Sequence, residues 1–522
     1  MSDTEVLIAG AGPTGLVLAL WLARQGIRVR VIDKGEGPGA TSRAMAVQAR
    51  TLELYRQLDP ALAQEVVESG LRNPAINLWA RGRHRARLDF GDAGSRLTPF
   101  PFVLIFPQDR HERLLVRYLE AAGVRVEHRT ELLGFTDEDV RVTARLRGPD
   151  GERACSASWL AGCDGAHSTV RHQIGTGFEG GTYDQVFYVA DVESDGVAAD
   201  GEIHMSLEHA DFVILLAYTR TGLGRLIGAV RVAREAGFGE GRRLEFDDVR
   251  HQAIDSLGLH LRKVNWFSSY RAHHRVSGRY RRGRAFLLGD AAHVHSPAGG
   301  QGMNTGIGDA VNLAWKLAAV QRGQAPQALL DSYEAERIAF ARKLVETTDR
   351  VFSFVTAQGG LADFMRTRIV PLFASAAYAI GPSREFMFRI LSQTAIHYHD
   401  SVLSEGMAGQ VRSGERLPWT GHDGPDNHAP LTATHWQAHV YGEAAADLGA
   451  WCRDAGLALH TFPWRQACYD AGLARDATYL IRPDGYIALC DPAGAPANLE
   501  RYFGMRGIVP RMDRARGETA DI

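Results

Sequence analysis

Two groups of residues have the types and spacing to do chemistry. In the first, Gly10-Ala-Gly-Pro-Thr-Gly15, the glycines recur as G-x-G-x-x-G, the pattern that brings backbone close to a dinucleotide. Gly10 allows a tight turn, Gly12 lets the chain approach a pyrophosphate, and Gly15 lets a helix pack near a sheet. Pro13 and Thr14 fall at the helix start, where free N–H groups and a partial positive charge favour an anion. Asp33, followed by Lys34, stands where a carboxylate can accept hydrogen bonds from an adenosine ribose. The second group is Gly289-Asp290-Ala-Ala-His293, followed by Pro297, Gly299, Gly300, Gln301, Gly302, Met303 and Asn304, and then by Gly306, Asp309 and Asn312. Asp290 can hold a ribose or ribitol hydroxyl. The successive N–H groups of Gly302, Met303 and Asn304 can face a ring carbonyl and stabilise negative charge on it.

These groups need elements to position them. Glu5–Ala9 predicts a strand, residues 16–25 a helix stopped by Gly26, and residues 28–32 the next strand, together a βαβ unit with a parallel sheet. Residues 44–58 and 111–122 predict amphipathic helices. From about 183 the texture changes. Residues 186–192, 202–207, 212–218 and 226–232 predict an antiparallel sheet, and 246–257 one helix. Near 284 the α/β texture returns, with a helix over about 305–320. Residues 405–430, rich in Gly and Pro, predict a linker. Tyr479–Arg482 and Tyr486–Cys490, flanking Pro483-Asp484-Gly485, predict a hairpin.

The first motif alone does not separate NAD from FAD; the second group points to FAD. With it the chain resembles the single-component, FAD-dependent aromatic monooxygenases, the group of para-hydroxybenzoate hydroxylase and the aromatic polyketide hydroxylases. Three motifs carry the resemblance: Gly10 to Gly15 with Asp33, where the family usually has glutamate; Cys163-Asp164-Gly165 through Arg171; and Gly289 to Asn312. Arg43 resembles a family arginine beside the flavin, and Gln108 a glutamine that contacts FAD. The resemblance covers residues 4–400 and implies that Asp164 serves FAD and NAD(P)H and that Pro297 lines the reactive side of the ring. It also implies that Arg43 gates a swinging flavin.

The implied fold is α/β: a Rossmann-like FAD-binding domain over 1–178 and 272–400, interrupted by an antiparallel-sheet substrate domain at 179–271. A linker and a thioredoxin-like C-terminal domain follow over 401–522; that domain has no cysteine pair at redox spacing. The implied reaction is oxygen transfer from a flavin C4a-hydroperoxide to an aromatic or polyketide-like molecule, with NADPH or NADH as reductant and O2 as co-substrate. Baeyer–Villiger oxidation, epoxidation and antibiotic inactivation are alternatives on the same scaffold, and a flavin reductase or a protein that only holds FAD is a further one. No nucleophile–base triad or metal-ligand spacing occurs, and no catalytic base can be named. His204, His209, His273 and His274, with Tyr183 and Tyr188, fall in or near the sheet domain as candidates, and His293 reads as a residue that shapes its loop.

Composition sets outer limits. The 522 residues are 45% hydrophobic and 23% charged, with net charge -2, which excludes a disordered chain and argues against nucleic acid as a partner. All basic residues but Lys34, Lys263, Lys316 and Lys343 are arginines. The five cysteines form no disulfide framework, which fits a reducing, cytoplasmic setting. The uncharged run 6–23 lacks the basic flank of a signal peptide and carries glycines and a proline. The apolar run 369–382 is too short to span a membrane, so no membrane association is expected. Monomer and homodimer both remain open.

Overall fold

The computed structural model describes residues 3–39, 44–208, 211–230, 244–249, 252–296, 300–356 and 380–510. The chain divides into two compact units. The first comprises Met1–Arg56, Pro60–Val311 and Arg337–Thr394; the second comprises Gln57–Asp59, Asn312–Glu336 and Ala395–Ile522.

The first unit holds two eight-stranded sheets and a small three-stranded one. At the centre of one lies Thr4–Ala9, almost wholly buried, as a strand covered on both faces must be. It pairs parallel with Val29–Ile32 on one side and with Gly151–Gly162 on the other. Ala285–Leu287 extends the sheet in parallel beyond Gly151–Gly162. The tips of these four strands therefore rise together, and both glycine-rich groups lie beyond them. The helix Pro13–Arg24 follows the first strand with Pro13 in its first turn, where the missing N–H costs nothing. Gly26, at φ +70°, ends it.

The second sheet has eight strands in the order His293–Val294, Leu259–Ser277, Phe178–Gly196, Leu223–Val230, Asp211–Ala217, Ile203–Glu208, Ala75–Ala80 and Arg83–Asp89. Its pairs are antiparallel except Ile203–Glu208 with Ala75–Ala80. The four expected strands are present, but the hairpin at 75–89 joins them from far upstream, and His293–Val294 joins from the second glycine-rich group. Ala46–Val47 is a short strand, so the helix expected over 44–58 begins only at Ala49. The helix expected over 246–257 is, among the described residues, a 3-10 turn at Phe246–Asp248 and one short helix at Gln252–Asp255.

The second unit holds a four-stranded sheet in the order Ala458–Phe462, Gln437–Tyr441, Thr478–Ile481, Ile487–Asp491. The first pair is parallel and the other two antiparallel; the last is the expected hairpin. The stretch 405–430 packs into this unit: Leu417 sits in the core with Tyr441 and Tyr479, and Asn427 donates to the Pro418 carbonyl and Tyr441 Oη. Among the described residues no helix is long and apolar enough to cross a membrane. Most of the run 369–382 and the end 511–522 lie outside the described residues.

Candidate functional site

The first motif is locked by contacts that only glycine permits. Gly10 has φ +107°, and a Cβ there would overlap the Cys163 carbonyl; a Cβ on Gly15 would overlap the Gly10 carbonyl. Gly12 differs, because a Cβ there meets no protein atom within 4 Å. The turn is thus closed at Gly10 and Gly15 and open at Gly12, the shape of a cradle for a phosphate. Asp33 Oδ2 accepts the Ala11 N–H at 2.7 Å and Oδ1 the Gly35 N–H at 2.7 Å. The carboxylate is fixed, and each oxygen keeps a lone pair for a ribose hydroxyl. Lys34 is exposed.

Asp164 is half-buried beside this turn. Its Oδ2 accepts the Val170 N–H at 3.2 Å, while Oδ1 is buried without a partner. Burial pushes the Asp164 carboxyl up, against the hydrogen bonds from Ser168 and the Val170 N–H that pull it down. Arg171 ties this motif to the next: its guanidinium donates to the carbonyls of Ala291 at 2.9 Å and Ala166 at 2.6 Å. Gly289, at φ +58°, passes against Thr14. Asp290 is exposed at the mouth.

The helix Gly302–Gln321 starts at the second group, so its first N–H groups, those of Gly302, Met303 and Asn304 among them, have no partner inside the helix. The Asn304 side chain, whose role the sequence does not show, is a clamp. It accepts from the Gln48 N–H at 2.9 Å and Thr51 Oγ1 at 2.8 Å, and donates to the carbonyls of Ala46 and Gly300. His293 is held by Asp309 at 2.8 Å, and Asp309 also accepts from Arg337 and the Gly289 N–H. Burial raises the Asp309 carboxyl, but Arg337 and His293 outweigh it and keep Asp309 below its ordinary range. His293 is spent on shaping the loop.

These elements border one cavity of about 660 Å³. Its lining includes Gly12, Pro13, Thr14, Asp290, Gly302 and Met303 from the glycine-rich groups, and Ile76, Ile203, Met205, Ile214, Leu216 and Ile227, a largely aliphatic wall from the second sheet. Among the described residues no lysine or arginine lines it. Gln108 lines it too, with its amide already engaged by Glu112 at 2.8 Å and by the Ala44 N–H at 3.3 Å. The open cradle at Gly12, the bare Asp164 Oδ1 and two helix starts fit a bound flavin dinucleotide.

Among the described residues, none of the histidines named from sequence lines this cavity. His204 is buried with both ring nitrogens engaged, by Trp79 at 3.0 Å and Asp200 at 2.8 Å. His273 contacts Thr182 and lies exposed. Tyr188 packs against Gly228 in the core on the other side of the sheet. Arg43, Pro297 and His209 lie outside the described residues. The wall residues were not legible because each is an ordinary apolar strand position, and only the pairing of distant strands assembles them. His295, one residue past the strand His293–Val294, also lines the cavity, and no local signal in the sequence sets it apart from His293.

Comparison with known proteins agrees with this geometry. The family described as "FAD binding domain" matches residues 3–348. The chain is 37% identical over 517 residues to 6-methylpretetramide 4-monooxygenase of Streptomyces rimosus, covering 93% of this chain and 90% of that one. It is 33% identical over 432 residues to pentachlorophenol 4-monooxygenase of Sphingobium chlorophenolicum, covering 80% and 76%. Among solved structures, the OxyS anhydrotetracycline hydroxylase from Streptomyces rimosus superposes with a TM-score of 0.74 at 27% identity, over 98% of this chain and 100% of that one.

Proposed function

The chain belongs to the FAD binding domain family, among its FAD-dependent aromatic and polyketide monooxygenases, and we propose that it uses NADPH or NADH to place one oxygen atom of O2 on an electron-rich ring of a neutral aromatic or polyketide-like molecule. The observation that carries this reading is the single cavity joining the dinucleotide motifs to an aliphatic wall.

FAD, when bound, supplies the redox chemistry and the activation of O2. The chain supplies position. The turn Gly10–Gly15 and the start of the helix Pro13–Arg24 hold the pyrophosphate, and Asp33 with Lys34 takes the adenosine end. Asp164, Gly289 and Asp290, with Gln108, hold the linking chain. The N–H groups of Gly302, Met303 and Asn304 hold a ring carbonyl and favour negative charge on it. Arg43 and Pro297 keep the gating and ring-lining roles that the resemblance implies. The wall from Ile76 to Ile227 takes the apolar body of the substrate and excludes water. We read 401–522 as thioredoxin-like, on the parallel pair followed by an antiparallel hairpin, and as a structural addition.

The test is the purified yellow protein with a panel of phenols, naphthoquinones and anthraquinones. The expected result is substrate-stimulated oxidation of NADPH or NADH with one atom of ¹⁸O2 in the product. NAD(P)H oxidation without label in any product would instead make the protein a flavin reductase.

A further inference from the structure

Most polar side chains around the cavity are already engaged. Gln108 is held as described, and Gln301 donates to the Leu391 carbonyl at 3.1 Å while its Oε1 accepts from Gln393 at 2.6 Å. Two neighbouring lining residues differ. His295 Nδ1 lies 2.8 Å from the Ser296 carbonyl. A carbonyl can only accept, so Nδ1 carries the proton and Nε2 is left as a lone pair. That Nε2 is buried and has no partner; it lies 3.6 Å from the point a Cβ on Gly302 would occupy. Ser296 is fully buried, and its Oγ also has no partner. An unpaired buried polar group is costly, and two in adjacent residues on one cavity wall call for a ligand that satisfies both.

We propose that His295 and Ser296 form a subsite for a ring hydroxyl of the substrate, with His295 Nε2 accepting the hydroxyl hydrogen and Ser296 Oγ donating to the hydroxyl oxygen. The inference rests on the reading that this cavity takes an aromatic substrate. A hydroxyl is the simplest group that needs one acceptor and one donor at a single atom; an ether oxygen offers nothing to Nε2, and a carboxylate repels its lone pair. Burial, together with nearby His293, lowers the His295 imidazole to about 4, so at neutral pH Nε2 is an acceptor and not a donor. No proton leaves the hydroxyl in this step; the contact orients the ring. His295 and Ser296 are therefore specificity-determining residues.

The experiment is an equilibrium titration of the holoenzyme, read by flavin absorbance, with two matched pairs: 2-naphthol against 2-methoxynaphthalene, and 2-hydroxyanthraquinone against 2-methoxyanthraquinone. The wild-type chain should prefer the hydroxyl member of at least one pair by about tenfold, the worth of one hydrogen bond at a buried site. His295→Val should abolish that preference and Ser296→Ala should reduce it, while His295→Gln, which retains an acceptor oxygen, should keep part of it. No preference in either pair, or one that survives both His295→Val and Ser296→Ala, overturns the proposal. So does a His295→Val enzyme that loses FAD while its remaining holoenzyme keeps the preference, because the pair would then serve the cofactor. Absence of labelled oxygen in product with the preference intact would sink the monooxygenase reading and leave this subsite standing.

Discussion

Thr14 Oγ1 occupies the space that a side chain on Gly306 would need. The same threonine stands 2.7 Å from the point a Cβ on Gly289 would take. The first turn of the helix Pro13–Arg24 and the first turns of the helix Gly302–Gln321 thus meet with no atom to spare, which brings two sets of free N–H groups to one cavity. Gly306→Ala should cost about 1–3 kcal/mol through overpacking, seen as a lower unfolding temperature of the apoprotein. Adding Thr14→Ala should recover part of that loss. Equal unfolding temperatures for wild type and Gly306→Ala would show that the apposition is not tight.

Gly12 and Gly10 make a contrast that separates binding from folding. A side chain on Gly12 meets no protein atom, whereas one on Gly10 collides with the Cys163 carbonyl at positive φ. Gly12→Val should leave the apoprotein folded with an unchanged unfolding midpoint and yet fail to retain FAD, because the methyl groups fill the phosphate cradle. Gly10→Val should destabilise the fold itself. Flavin content after gel filtration and thermal unfolding of both variants check this; normal flavin content in Gly12→Val would refute the cradle.

The wall formed by Ile76, Ile203, Met205, Ile214, Leu216 and Ile227 carries no charged side chain, so the end of the substrate that lies against it must be uncharged. Moving a carboxylate from water into such surroundings without a partner is prohibitively costly. Anthraquinone-2-carboxylate should therefore fail to perturb flavin absorbance at concentrations where neutral hydroxyanthraquinones saturate. Saturable binding of the carboxylate at similar concentration would place a cation in the cavity.

The glycine-rich groups and the four strands at 186–232 were legible because backbone constraints and alternation are local signals. Gly10 needs a positive φ whatever surrounds it. The wall residues Ile76, Ile203 and Ile227 were not, because nothing local distinguishes them from other buried strand positions until Ala75–Ala80 pairs with Ile203–Glu208. The helix expected over 246–257 gives way to a 3-10 turn and a short helix for a related reason. Leu244, Val249, Ala253 and Ile254 are all buried in the core on the far face of the sheet, so apolar spacing there reflects burial of a turn and one short helix. The linker expected over 405–430 failed because Gly and Pro shape packed turns as readily as free chain: Gly414, at φ +87°, fits against the Tyr398 backbone.

A last prediction concerns acid. In the second unit Glu336 is buried with Lys316 at 2.8 Å and Arg482 at 2.7 Å, and Arg482 also holds Asp484 at 2.6 Å. Burial alone would raise the Glu336 carboxyl, but the two cations outweigh it and hold it far below its ordinary value of 4.5. On acidification the unfolded chain therefore takes up this proton first, so the stability that Glu336 contributes is complete above about pH 5 and declines as pH falls below the unfolded value. Glu336→Gln should remove that acid limb and lower stability at pH 7 by about 3–5 kcal/mol, because it leaves Lys316 and Arg482 short of countercharge in a buried site. Lys316, lowered to about 8 chiefly by burial, adds a second limb of the same sign at alkaline pH. Its unfolded form binds the proton more tightly, so stability should rise slightly from pH 8 toward 10, and Lys316→Met should flatten that rise. Denaturant unfolding across pH 3–10 for the three proteins measures both limbs. An acid limb unchanged in Glu336→Gln would show that other carboxylates set it.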